Sequence, residues 1–242
     1  MARSTSQTQP RRVSNVYLCI YNLLSALLRV CILLSTAYLW TTGGNVAVWD
    51  KLSATARWSE TLTALEVVHA LTGLVRAPPA TTTLQVAGRN TIVWAITRNY
   101  PDVAAEEAAY SYMLMAWNLA DSVRYLYFAF QTGTSSVPSI LLWARYNLFI
   151  VLYPIGILSE ARLVYRVIEP SKARNSTYQY LLWFGLAIYA PGMRVECQFQ
   201  VFNTDFKKPF TSYMDTCSLK GPRLAARTAP KPCNIGLWRC NM

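Results

Sequence analysis

The run Arg145-Tyr146-Asn147-Leu148-Phe149-Ile150-Val151-Leu152-Tyr153-Pro154-Ile155-Gly156-Ile157-Leu158-Ser159-Glu160 holds the residues of this 242-residue chain best suited to chemistry. Tyr153 and Glu160 are seven positions apart, two helical turns, so they share one helix face about 10.5 Å apart along the axis. In a straight helix both could not touch one carbon. Pro154 removes a backbone donor and bends a helix, and Gly156 lets a neighbour approach closely. Side chains also lean toward the helix N-terminus, which carries Glu160 toward Tyr153. A substrate a few atoms long then bridges the phenol and the carboxylate.

A carboxylate and a phenol on one dry face suit an elimination. The carboxylate takes a proton from the carbon beside a carbonyl, and the phenol assists a departing hydroxyl or holds the enolate oxygen. Loss of water from a 3-hydroxyacyl thioester is such a reaction. It needs no metal and no organic cofactor, since CoA is part of the substrate. Each residue alone has an ordinary explanation, Tyr153 as an interfacial-belt tyrosine and Glu160 as a solvated helix end. Together, with Pro154 and Gly156 between them, they are harder to dismiss.

Composition says which elements must hold this pair. Of the residues, 53% are apolar and only 14% charged, against about 25% charged in ordinary soluble domains. Too little charge is available to cover a water-facing surface, so lipid is the expected solvent and the expected fold is all-α, a polytopic membrane bundle of about six transmembrane helices. The apolar segments are Val16–Trp40, Leu62–Val75, Leu84–Ile96, Tyr110–Phe130, Ile140–Leu158 and Tyr178–Tyr189, judged against the roughly 20 residues of a span. The second, third and sixth are short. Between the first two, residues 41–60 read as a loop. Residues 1–15 form a polar tail, 16–192 the membrane domain, and 193–242 a basic tail expected to be poorly ordered.

The formal charge of +11 points to anionic headgroups or an anionic ligand. Nucleic acid is disfavoured, because the basic residues lie between hydrophobic segments rather than on one patch. Cys19 and Cys31 sit in an apolar run, and the other four cysteines form no CxxC pair, so no zinc site is expected.

Polar residues inside the spans fall on single faces. Asn22, Ser25, Arg29 and Thr36 share one, Glu66, His69, Gly73 and Arg76 another, and Asn118, Asp121 and Tyr125 a third, with Arg124 one turn from Asp121. Tyr146, Phe149, Tyr153, Gly156 and Glu160 make a stripe on the fifth helix. Arg29, Arg124 and Arg145 match Glu66, Asp121 and Glu160 in number. Each charge costs roughly 2.5–3.5 kcal/mol or more at mid-membrane, so such residues face inward and pair. They either glue helices together or line a shared polar cavity, and the set as a whole favours the cavity.

These residues resemble the very-long-chain 3-hydroxyacyl-CoA dehydratases, endoplasmic reticulum lyases also described as protein tyrosine phosphatase-like. The likeness runs from about Asn15 to Met193. It rests on Tyr17-Leu18 with Tyr21-Asn22, Leu65-Glu66-Val67-Val68-His69 with Gly73, and Gln85-Val86 with Arg89. Trp117, Arg124-Tyr125 and above all the Arg145-to-Glu160 run complete it. The resemblance implies that Tyr153 and Glu160 are the catalytic tyrosine and glutamate, supported by Arg145, Tyr146, Asp121, Arg124, Glu66 and His69. It further implies an acyl-CoA substrate, a trans-2-enoyl-CoA product, and as partners the condensing enzyme and two reductases of fatty-acid elongation. Asp121 stands where many members carry Glu. After Met193 the likeness stops, as a retained intron or altered reading frame would produce, and the alternative reading is then a truncated inactive form or a non-catalytic scaffold.

Other classes fit less well. His69-Ala70-Leu71-Thr72-Gly73-Leu74-Val75-Arg76 imitates a phosphatase loop but has Ala70 where the nucleophilic cysteine must stand, which excludes that chemistry. His69 is then either a helper base or a hydrogen-bonded buried residue. A proton-coupled carrier would show inverted repeats, and none is visible. Arg11-Arg12 predict a cytosolic N-terminus, which after six spans puts Arg162, Arg166, Lys172 and Arg174 in the lumen, against the positive-inside trend.

Overall fold

The computed structural model describes residues 10–187 except 76, 135, 175 and 176; the tail 193–242, Arg76 and the end of the sixth apolar segment lie outside them. Helix α1 covers Pro10–Leu62 and is broken at Gly44, whose φ of 71° is a left-handed conformation that a side chain would resist. Next come α2 (Ala64–Leu71), α3 (Pro79–Thr91) leading into a π-helical turn (Ile92–Thr97), α4 (Pro101–Glu106), α5 (Ala108–Gly133), α6 (Ser139–Arg174) and α7 (177–187). Among the described residues there is no strand.

The break at Gly44 folds α1 back on itself. Arg29 meets Glu60 across the two arms, and Tyr17, nearer the start of α1, meets His69 of α2, an antiparallel register. Helix α5 lies along both arms: Cys19 contacts the Ala129 carbonyl, and Trp49 packs on Tyr110. Helix α3 returns beside the second arm, where Asn90 reaches the Glu60 carbonyl and Trp94 donates to Thr61. Helix α6 runs antiparallel to α5, with Arg145 against Tyr127 and Glu160 against Trp117. The order leaves α5 at the centre, so its inner face decides what the interior contains.

Several expectations need correction. Residues 45–60 are helix, not loop. Val48, Leu52, Ala56, Ser59 and Glu60 are all buried at spacings of three and four, a stripe too mixed in polarity for a hydropathy reading. The segment Leu62–Val75 is not one helix: α2 has only eight residues, and Gly73, with φ 71°, lies past its end. So Gly73 leaves the stripe of Glu66 and His69. Helix α6 does not stop near Leu158 but continues to Arg174, and it runs unbroken through Pro154. The first helix begins at Pro10, inside the supposed tail.

Charge and grease are distributed inside out. Arg29 is 2% and Glu60 1% exposed, while Leu34 is 64% and Ile140 76% exposed. In water the uncovered apolar faces would be a liability, and in lipid they are the proper surface. Among the described residues two helical stretches, Ser14–Leu71 and Ser139–Lys172, are long and apolar enough to cross a membrane.

Candidate active site

The middle of α5 gathers a ring of buried charge. Glu60 Oε1 accepts from Arg29 Nη1 and, at 3.0 Å, from Arg89 Nη2. Asp121 Oδ2 accepts from Arg89 Nη1 at 2.8 Å and faces Arg29 Nε at 3.5 Å. Two guanidinium groups and two carboxylates therefore alternate around a closed loop. Arg29 also reaches Asn118 Oδ1 at 3.4 Å and the Ser59 carbonyl at 3.3 Å. One turn on, Arg124 binds Glu66 with both terminal nitrogens, and the Tyr125 hydroxyl donates to the same carboxylate. The expected Asp121–Arg124 pair exists at 3.5 Å, but Arg124 belongs chiefly to Glu66.

Next to this ring on α5 lies the α6 stripe. Trp117 Nε1 donates to Glu160 Oε1 at 2.8 Å. Gly156 lies against that indole: a Cβ there would stand 3.7 Å from Trp117 Cδ1 and Nε1, an ordinary contact. The Arg89 guanidinium lies 4.4 Å above the same ring, so Trp117 stands between the charge ring and the carboxylate of Glu160. Tyr153, half-buried one turn before Ile157, stacks on Phe149 at 5.0 Å between ring centroids.

The remaining candidates divide. Arg145 meets no carboxylate; it lies 4.1 Å over the Tyr127 ring and 5.0 Å over Phe128, and its Nη1 finds no hydrogen-bond partner among the described residues. So among the described residues Arg145 does not join the buried ion network, contrary to the expected matching of charges. Tyr146 is half-buried on α6, two turns before Tyr153. His69 is a buried, hydrogen-bonded residue: Tyr17 Oη lies 2.9 Å from its Nε2, and Tyr21 meets its ring edge-on at 4.8 Å. Neighbouring Ala70 is buried too, where a phosphatase would need its thiolate.

Sequence reasoning missed Glu60, placed in the supposed loop, and gave no role to Arg89 or Trp117. The signal for Glu60 was its place at the end of the buried stripe from Val48. Arg89 offered a weaker sign, a lone arginine within an otherwise uncharged segment.

Comparison with known proteins agrees with this frame. The sequence model of the family described as "Protein tyrosine phosphatase-like protein, PTPLA" matches residues 60–199. The chain belongs to this family. The match takes in Glu60, both halves of the Glu66–Arg124 pair and the whole α6 stripe, and it runs six residues past Met193, where the likeness was expected to end. Among family relatives, the "Probable very-long-chain (3R)-3-hydroxyacyl-CoA dehydratase" of Schizosaccharomyces pombe is 34% identical over 180 residues, 74% of this chain and 86% of that protein. The "Very-long-chain (3R)-3-hydroxyacyl-CoA dehydratase PASTICCINO 2" of Arabidopsis thaliana is 31% identical, covering 74% of this chain and 87% of its own length. Mouse "Very-long-chain (3R)-3-hydroxyacyl-CoA dehydratase 2" is 31% identical over 158 residues, 64% of this chain and 61% of the relative. No solved structure matches the chain.

Proposed function

We propose that this protein is a hydro-lyase that removes water from (3R)-3-hydroxyacyl-CoA to give trans-2-enoyl-CoA during very-long-chain fatty-acid elongation. The observation that carries the reading is the relatives' shared activity name, at 34% identity over most of the S. pombe protein. The geometry is compatible with it. Glu160 is a half-buried carboxylate fixed against α5, and Tyr153 lies on the same helix two turns earlier.

In this reading Glu160 is the base that takes the C2 proton, and Tyr153 donates to the C3 hydroxyl as it leaves as water. Electrons from the broken C2–H bond pass into the thioester enolate, which forms the new double bond as the C3–O bond breaks. The reaction needs neither metal nor organic cofactor. Glu66, Asp121 and Arg124 support it by fixing α5 relative to α1 and α2, while Arg145 and Tyr146 lie on the same helix as the reacting pair. Pro154 and Gly156 give that helix its local shape.

The apolar exterior supports a multi-pass protein of the endoplasmic reticulum membrane, with about six spans. Its partners would be lipid, the condensing enzyme and the two reductases of the elongation cycle. Incubation of the purified protein with a (3R)-3-hydroxyacyl-CoA tests the activity: enoyl-CoA should appear as substrate disappears. Absence of product in lipid-reconstituted, folded protein would remove the assignment.

A further inference from the structure

The structure assigns Trp117 a positioning role: its indole N–H, held from behind by Arg89, fixes the Glu160 carboxylate for proton abstraction. This inference rests on the reading of Glu160 as the base. Contacts from two elements converge on this one α5 side chain. Arg89 of α3 covers the ring at 4.4 Å, while on α6 Glu160 accepts from its nitrogen at 2.8 Å and Gly156 lies against its edge.

Their order matters. Arg89 is not free to choose its place, because Asp121 and Glu60 hold its two terminal nitrogens at 2.8 and 3.0 Å. The cation over the ring face draws electron density from the indole and makes its N–H a stronger donor. A hydrogen bond to an ionised acceptor is in turn shorter and stronger than a neutral one. Fixation thus passes from the buried charge ring to Arg89, to Trp117 and to Glu160. The ring acquires a purpose beyond gluing helices, since it is the rigid reference against which a carboxylate on α6 is aimed. A tryptophan that served packing alone could satisfy its N–H on any backbone carbonyl.

The test uses the full chain in lipid nanodiscs and steady-state formation of enoyl-CoA. Trp117→Phe keeps a ring beneath Arg89 and removes the donor. Replacement of Trp117 by benzothienylalanine keeps the bicyclic shape as well, which guards against a folding defect in the phenylalanine variant. Both should lower kcat roughly a hundredfold, the scale of a misplaced catalytic group, with KM unchanged to within about twofold. In a Glu160→Gln background, Trp117→Phe should add no loss beyond about twofold. A benzothienylalanine variant that turns over like the parent overturns the inference, and so does an undiminished Trp117 effect when Glu160 is already Gln. Full activity in Glu160→Gln alone removes the base and the inference together. Loss of activity there, with a fully active benzothienylalanine variant, removes only the inference.

Discussion

Arg124 grips Glu66 with both arms of its guanidinium, Nη1 to Oε2 at 2.8 Å and Nη2 to Oε1 at 2.9 Å, and so ties α2 to α5. Helix α2 has eight residues, too few to be stable by itself, and depends on such ties. Arg124→Leu leaves a carboxylate behind and should cost about 2–3 kcal/mol, below the roughly 3–5 kcal/mol of a fully buried pair because Arg124 keeps some exposure. Glu66→Leu combined with Arg124→Leu should recover part of that loss, since no charge is then orphaned. Thermal unfolding of the detergent-solubilised proteins checks the order. If the double variant unfolds no later than the single one, the fork is not what holds α2.

Arg29 is the more deeply placed cation, 2% exposed and shared between Glu60 and Asp121. Arg29→Met should therefore cost more, about 3–5 kcal/mol, and appear as a low yield of monodisperse protein and an early unfolding transition. Unfolding indistinguishable from the parent would mean that Arg89 alone balances both carboxylates.

How much of this was written plainly in the sequence depends on the kind of information. Faces were legible: Asn118, Asp121 and Tyr125 at three and four are all buried on α5, and Arg29 and Thr36 are buried on α1. Partners were not. Spacing places a residue on its own helix, whereas the choice of Glu66 over Asp121 by Arg124 is made by how α2 and α5 pack. Arg145 was assigned to the carboxylates by counting, yet it settled on the aromatic rings of Tyr127 and Phe128, a cation–π arrangement invisible to charge matching. Glu60 was lost because hydropathy rather than periodicity decided that 41–60 was loop. The apolar run of α6 was legible, but its extension to Arg174 was not, because Arg162 and Arg166 looked like loop charges. In the fold they pair with Glu107 at the start of α5, Arg162 Nε at 3.3 Å.

Gly44 makes the turn that lets α1 double back, and nothing lies within 4 Å of where its Cβ would be. The penalty for a side chain there is thus conformational alone. With φ 71° and ψ −165° Gly44 occupies a region essentially reserved for glycine, so Gly44→Ala and Gly44→Asn should each cost about 1–3 kcal/mol and Gly44→Val more, since β-branching tolerates a positive φ worst. Adjacent Gly43 differs, because a Cβ there would stand 2.6 Å from the Ala47 Cβ and force the helix to move. Unfolding temperatures of the three Gly44 variants would establish the ranking. A Gly44→Ala protein that unfolds with the parent would contradict a backbone origin.

The two proposed reacting groups can be separated by what each must do to the substrate. Glu160→Gln keeps an oxygen that can accept from Trp117 but has no basicity, so both turnover and exchange of the C2 proton with deuterated solvent should fall by about 10²–10⁴. Tyr153→Phe removes only the donor to the departing hydroxyl. Its turnover should drop on the same scale of about 10²–10⁴, while C2 exchange stays above that of Glu160→Gln, because the base is still in place. Mass spectrometry of recovered substrate measures the exchange and absorbance of the enoyl thioester measures turnover. Were Tyr153→Phe to abolish exchange as completely as Glu160→Gln does, the phenol would have to act on the enolate oxygen rather than on the leaving group. Were Glu160→Gln to exchange at the parent rate, the base would have to be sought elsewhere on the bundle's inner face.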